Sequence, residues 1–319
     1  MKTREKTFDI AKGIGILLVV LGHMPTLLPE SILVWIKGFH MPLFFFISGY
    51  FATPVKNVSN ILTKLKKKVS TILLPYLIYS IFFAVLDFWA LDMNVEIFNE
   101  RIHLMLTGSG GYYMLWFLFS LFLVEFLFYI ITYICKTEKL RLFLFTSCVL
   151  IGFLLKHVFH YNNYKIGTSL YILGVFCIGY LCKTKGTLLS VSSAAWTFIG
   201  ICINLLGTYI LYKTKGFTLE LVDNQTVDIF LNYTTALSAI IVVLNISRWL
   251  SKYKASCILE YIGRNSLYFY PLTGYIPDLV KLVLGDSKII KIISRIFAFI
   301  FTCGFIEIKK LITNHTAKY

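Results

Sequence analysis

Residues 8–24 read FDIAKGIGILLVVLGHM, an apolar run broken by Asp9, Lys12 and His23. A helix needs about 20 mostly apolar residues to cross the hydrocarbon core of a bilayer. Carried on to residue 28, this run is long enough. Between Lys12 and His23 the helix turns through about 1100°, some 20° beyond three full turns. The two side chains therefore project from one face, about 16–17 Å apart along the axis. An ionisable group inside a bilayer costs roughly 2.5–3.5 kcal/mol on insertion scales, so such residues read as functional by default. The plain alternative is that Lys12 snorkels to the interface and His23 hydrogen-bonds a neighbouring helix.

Similar runs recur along the whole chain. Its 319 residues are 57% hydrophobic, 17% aromatic and only 15% charged, with a mean hydropathy of +0.75. Soluble domains carry about 25% charged residues, so this chain is solvated mainly by lipid. Spans are predicted at about 8–28, 36–53, 69–91, 112–134, 141–160, 166–182, 194–212, 229–247, 258–277 and 289–308. Short connections join them, which predicts an all-α, polytopic membrane helical bundle of about ten transmembrane helices. No linker or repeat divides residues 1–319, and they read as a single membrane domain.

Charge predicts the orientation. Lys2, Arg4 and Lys6, the 56–68 loop, Lys136 to Arg141, Lys183 and Lys185, Arg248 to Lys254, and Lys309 to Lys318 all fall on one side. The opposite loops hold many of the acids, among them Asp92, Glu96, Glu100 and Asp223. Positive residues favour the cytoplasm, which puts both termini there. The net charge of +15 then reflects topology and attraction to anionic lipid head groups. Without a basic patch on a folded soluble surface, nucleic acid is not an expected partner. The first span is too long for a cleaved signal, contains charge and lacks a small-residue cleavage site. The seven cysteines lie in spans or at their inner ends without metal-ligand spacing, so neither disulfides nor a metal site are predicted.

The remaining intramembrane polar residues are candidates for a site. His40 opens the second span at nearly the depth predicted for His23, and the two imidazoles would line an outward-facing cavity if their helices are neighbours. Glu125 falls near the middle of the fourth span, as a proton relay, a carboxylate that orients a histidine, or a protonated packing residue. At the inner face Lys64, Lys66, Lys67 and Lys68 precede the third span, and Arg264 stands in YIGRNS near the start of the ninth. Topological anchoring accounts for most of these lysines, and pairing with Glu260 at i, i+4 is the structural alternative for Arg264. Asp87 is expected to reach water. His157 and His160 are read as sharing a helix face near the outer surface, lining a vestibule or contacting an acceptor.

Five segments resemble the acyltransferase family 3 membrane proteins, and in particular the branch that looks like sugar O-acetylases. They are DIAKGIGILLVVLGH (9–23), FHMPLFFFISGY (39–50), KKKVSTILLPY (66–76), LWFLFSLFLVE (115–125) and YIGRNSLYFY (261–270), in the family's order. The spacing of a basic residue and a histidine eleven positions apart is the most specific of these features, followed by FFxISGY. The resemblance implies a ten-helix protein of the bacterial plasma membrane that moves acyl groups, commonly acetyl from acetyl-CoA, onto hydroxyls of cell-envelope glycans. It implies donor contacts for Lys12 and Lys68 and an essential role for His23. Family members often have histidine where this chain has Thr273, a departure that points to a divergent acceptor.

The physical reading runs parallel to this. Coenzyme A is multiply anionic and cannot cross hydrocarbon, while an envelope glycan lies outside. Lys12, Lys68 and Arg264 are expected to hold the donor's phosphates. His23 would take a proton from the sugar hydroxyl or carry the acyl group itself, with Glu125 or His40 orienting its ring. Acetyl-CoA is thus the expected co-substrate, with a glycan or sugar acceptor and the lipid bilayer as partners. The rival reading is a transporter or glycan flippase that uses His23, Glu125 and Arg264 as a polar pathway. A flippase of that kind often shows two related halves, and no second copy of the first-span pattern occurs.

Overall fold

The computed structural model describes residues 5–316 apart from 26, 92, 109–112, 162, 215–228 and 286. Lys2, Arg4, Asp92, Asp223 and Lys318, used above to assign orientation, lie outside the described residues. In chain order the helices are α1 (Lys6–Gly22), α2 (Glu30–Lys37), α3 (His40–Phe51), α4 (Val58–Lys68), α5 (Leu74–Ala90), α6 (Val95–Leu106), α7 (Trp116–Ile134) and α8 (Glu138–Phe153). There follow α9 (Ile166–Lys185), α10 (Thr187–Ser190), α11 (Ala194–Lys213), α12 (Ile229–Leu250), α13 (Cys257–Arg264), α14 (Ser266–Leu284) and α15 (Lys288–Thr316). No strand occurs among the described residues. Eight helices among them are long and apolar enough to cross a membrane. Each of the ten sequence spans coincides with helix, so the all-α polytopic reading stands.

Three of the ten spans are broken or shorter than predicted, the second being divided between α2 and α3 and ending at Phe51. The first helix ends at Gly22 after 17 residues, and the ninth span is divided at Asn265 into α13 and α14. The third span is longer. Asn57 caps α4 by accepting from the Asn60 N–H at 2.8 Å, and helix then continues from Val58 to Ala90. Lys64, Lys66, Lys67 and Lys68 therefore stand on a helix and not in a loop. A wide π-turn at Val69–Leu73 joins α4 to α5. Pro75 follows at once; it has no N–H for the Thr71 carbonyl, and a one-residue bulge absorbs that missing bond.

The connection read as the outer loop 92–111 contains α6, capped by Asn94 through the Glu96 and Ile97 N–H groups. Tyr76 on α5 holds its far end, donating to the Met105 carbonyl at 2.6 Å. Asp87, expected to reach water, instead accepts from Arg101 on this helix at 2.8 Å. Beyond α8 the chain passes through a second π-turn, Leu154–Val158, and His160 lies past it with φ +50°. His157 and His160 consequently do not share a helix face.

The chain forms two compact units, Met1–Ile36 with Ile246–Tyr319, and Lys37–Asn245. In the first, α1 packs on α13 and α14, and α14 on α15. A Cβ on Gly263 would fall 2.8 Å from the Gly13 backbone nitrogen and strike the Asp9 carbonyl, and one on Gly13 would strike the Leu259 carbonyl. Glycine at both positions lets the backbones touch, the way membrane helices associate when burial against lipid gives no advantage. The second unit repeats the device: Gly49 of ISGY abuts the Phe176 carbonyl of α9, and Gly179 of α9 abuts the Phe46 carbonyl of α3.

Candidate active site

In the first unit the site is built around Asp9. Its side chain is only 2% exposed, yet it faces two cations: Lys12 Nζ at 2.8 Å from Oδ1 and Arg264 Nε at 3.4 Å from Oδ2. Lys12 lies one turn along α1, and Arg264 comes from the last turn of α13, brought near by the Gly13–Gly263 crossing. Arg264 also pairs with Glu260 one turn back, the alternative the sequence left open. Lys6 completes the group, 3.9 Å from Glu260 and 3.1 Å from the Ser251 carbonyl. Three cations against two acids leave one positive charge in excess, and Lys12 and Arg264 keep 23% and 48% of their side chains exposed. A partly exposed, net-positive cluster with a buried acid fixing it suits an anion such as a phosphate.

His23 closes α1 as its C-cap, with φ −96° and ψ 22°, so it terminates the helix and does not lie within it. Its Nδ1 is 2.7 Å from the Val19 carbonyl. A carbonyl only accepts, so Nδ1 carries the proton, and a neutral ring then holds its lone pair on Nε2. That is the protonation state of a base. This contact ties the ring to the backbone of α1.

In the second unit Glu125 is 3% exposed and meets Lys68 from the end of α4. Lys68 Nζ donates to Oε1 at 2.8 Å and lies 2.7 Å from Oε2, and Tyr129 OH is 3.4 Å from Oε2. An unpaired carboxylate at this burial would be very unfavourable, and Lys68 is what makes it tenable. Lys64 turns elsewhere. Its ammonium donates to the Thr53 carbonyl at 2.5 Å, Thr53 Oγ1 at 2.6 Å and the Pro54 carbonyl at 3.3 Å, and lies 5.2 Å from the centre of the Tyr129 ring. It ties α4 to the segment after α3. His40 begins α3 and is 1% exposed.

A family model described as an acyltransferase domain, that of acyltransferase family 3, matches residues 5–306. The chain belongs to this family. It is a membrane acyltransferase, and residues of both compact units lie within the match. No curated protein and no solved structure matches it. Lys12 and Lys68 of this acyltransferase each meet a buried carboxylate. The sequence reading missed that Asp9 and Glu125 serve as these counter-ions. For Asp9 a signal existed, since Asp9 and Lys12 are spaced i, i+3 on a helix. For Glu125 none existed, because its partner lies 57 residues away. Thr273 is 2% exposed and donates to the Phe269 carbonyl of its own helix at 2.5 Å.

Proposed function

We propose that this acyltransferase is an O-acetyltransferase that moves acetyl from cytoplasmic acetyl-CoA to a hydroxyl of a cell-envelope or exported glycan. In this reading residues 1–319 act as one domain in a bacterial plasma membrane, with both termini in the cytoplasm. The observation that carries the chemistry is the Nδ1–Val19 bond of His23, which leaves Nε2 as the basic atom. Nε2 accepts the proton of the sugar hydroxyl as that oxygen attacks the thioester carbonyl. Collapse of the tetrahedral intermediate breaks the carbon–sulfur bond, and the imidazolium returns its proton to the departing thiolate. Acetyl ester and free CoA are the products.

Lys12 and Arg264 hold the donor through its phosphates, and Lys68 is assigned as a donor contact from its place in the family's order of motifs. The net positive charge of the Asp9 group supports this, as does the partial exposure of Lys12, Arg264 and Lys68. Glu125 acts through Lys68, as the acid that fixes the ammonium, and His40, buried at the start of α3, is a further site residue of the second unit. The test is purified protein in detergent with acetyl-CoA and solubilised envelope glycan, reading release of CoA thiol. His23→Ala should lose about 10²–10⁴-fold in turnover, the usual contribution of a general base. A folded His23→Ala protein above about a tenth of wild-type turnover refutes the assignment. A wild-type protein that consumes no acetyl-CoA refutes acetyl-CoA as the donor and sends the search to other acyl donors.

A further inference from the structure

We propose that Arg295 is a positioning residue for His23, an inference that rests on the reading of His23 as the proton acceptor. Arg295 stands two turns into α15, in a stretch apolar enough to span a membrane. A guanidinium there must find acceptors. Nη1 donates to the Lys291 carbonyl one turn back at 3.2 Å, and Nη2 donates to the backbone carbonyl of His23 at 2.5 Å.

The contact falls where α1 needs one. The last carbonyls of a helix have no N–H four residues on to bond them, and the macrodipole makes that end negative. A guanidinium donating to the His23 carbonyl answers both needs. It also completes the fixing of the histidine. The ring is tied to α1 through Nδ1 and Val19, and the backbone is tied to α15 through Arg295, so Nε2 is located from two sides. Without the second tie, the final turn of α1 is free to fray. Displacement of a catalytic group by about 1 Å costs on the order of 10²-fold in rate. In this role Arg295 touches no reacting atom; it acts through the backbone of His23.

The experiment compares Arg295→Met and Arg295→Lys, alone and each with His23→Ala, in the acetyl-CoA and solubilised-glycan assay. Arg295→Met removes the donor and should lower kcat by about 10–100-fold with the KM for acetyl-CoA unchanged. Lysine keeps the charge but replaces the rigid planar fork with a compact ammonium on a flexible stem, and should fall between Met and wild type. Neither substitution should reduce the residual rate of His23→Ala, because residues acting as a unit are not additive. A folded Arg295→Met at wild-type kcat overturns the inference, as does a loss that appears only in KM. If Arg295→Met does not insert, Arg295→Lys decides: kcat lowered at constant KM supports the role, and wild-type kcat ends it. His23→Ala remaining active, or a wild type without turnover, sinks the functional reading instead and this inference with it.

Discussion

The ammonium of Lys68 lies 2.7 Å from the carboxylate of Glu125, joining the last residue of α4 to the middle of α7. Glu125 is buried and Lys68 is 28% exposed, so the pair is asymmetric. Losing the lysine strands a buried charge, whereas losing the acid leaves a cation that can still reach solvent. Lys68→Met should therefore destabilise the protein more than Glu125→Gln, by up to the roughly 3–5 kcal/mol seen when a buried pair loses one partner. The double variant should be more stable than Lys68→Met alone, because no charge is then left unmatched. Thermal unfolding in detergent measures all three, and strictly additive effects would show that the two residues are not coupled.

The glycine crossings predict a different kind of failure. A Cβ at Gly263 meets backbone of α1, and one at Gly179 would lie 3.0 Å from the Phe46 carbonyl carbon and the Tyr50 nitrogen. Backbone cannot rotate out of the way as a side chain can. Gly263→Ala and Gly179→Ala should each destabilise by about 1–3 kcal/mol, the usual range for overpacking. Gly304 on α15 has nothing within 4 Å of an added Cβ, and Gly304→Ala should be neutral or slightly stabilising. Equal melting temperatures for Gly263→Ala and Gly304→Ala would contradict the close crossing of α1 and α13.

Apolar runs made the helices legible, because in lipid a spanning segment must satisfy its backbone internally. What they could not show was where helix extends beyond the apolar stretch. The lysines of α4 look like a loop by composition, yet Asn57 starts a helix that carries them. The short α6 is half polar, and its packing depends on a hydrogen bond from Tyr76. Lys12 and His23 stood out because charge inside a bilayer is unfavourable. Asp9 was within reach of Lys12 at i, i+3, whereas Lys68 with Glu125 and Arg295 with the His23 carbonyl are long-range pairs that leave no local pattern. Arg264 with Glu260 was readable at i, i+4, whereas Arg264 with Asp9 depends on how α13 meets α1.

Thr273 is a test of how far the family pattern extends to this chain. Its hydroxyl donates to the Phe269 carbonyl within α14, which commits its one proton to the helix backbone. Thr273→Val keeps the shape and removes one intrahelical bond, worth about 0.5–1.5 kcal/mol. Turnover with acetyl-CoA should stay within about threefold of wild type. A loss beyond about tenfold, in protein of unchanged melting temperature, would mean that the hydroxyl takes part in the reaction, since its removal would then have cost more than 1.4 kcal/mol of transition-state stabilisation.

The cations proposed to hold the donor should reveal themselves in KM. Lys12→Ala, Lys68→Ala and Arg264→Ala each remove a charge that binds ground state and transition state alike, and uniform binding appears in KM while kcat is spared. A charge-assisted contact contributes about 1.5–3 kcal/mol, which corresponds to a rise in the KM for acetyl-CoA of about tenfold or more. Asp9→Asn distinguishes two ways in which the buried acid can act. If Asp9 positions Lys12 and Arg264, its removal leaves two like charges to separate, and KM rises with them. If it merely competes with the phosphates for those cations, KM falls. The distances of 2.8 and 3.4 Å from one carboxylate to cations on two helices favour positioning, so a rise is expected. Salt supplies the control. Wild-type KM should climb with ionic strength as exposed charges are screened, and the gap to the charge-removing variants should narrow. If Lys12→Ala, Lys68→Ala and Arg264→Ala all keep wild-type donor kinetics at low salt, these residues anchor the helices and the donor is held elsewhere.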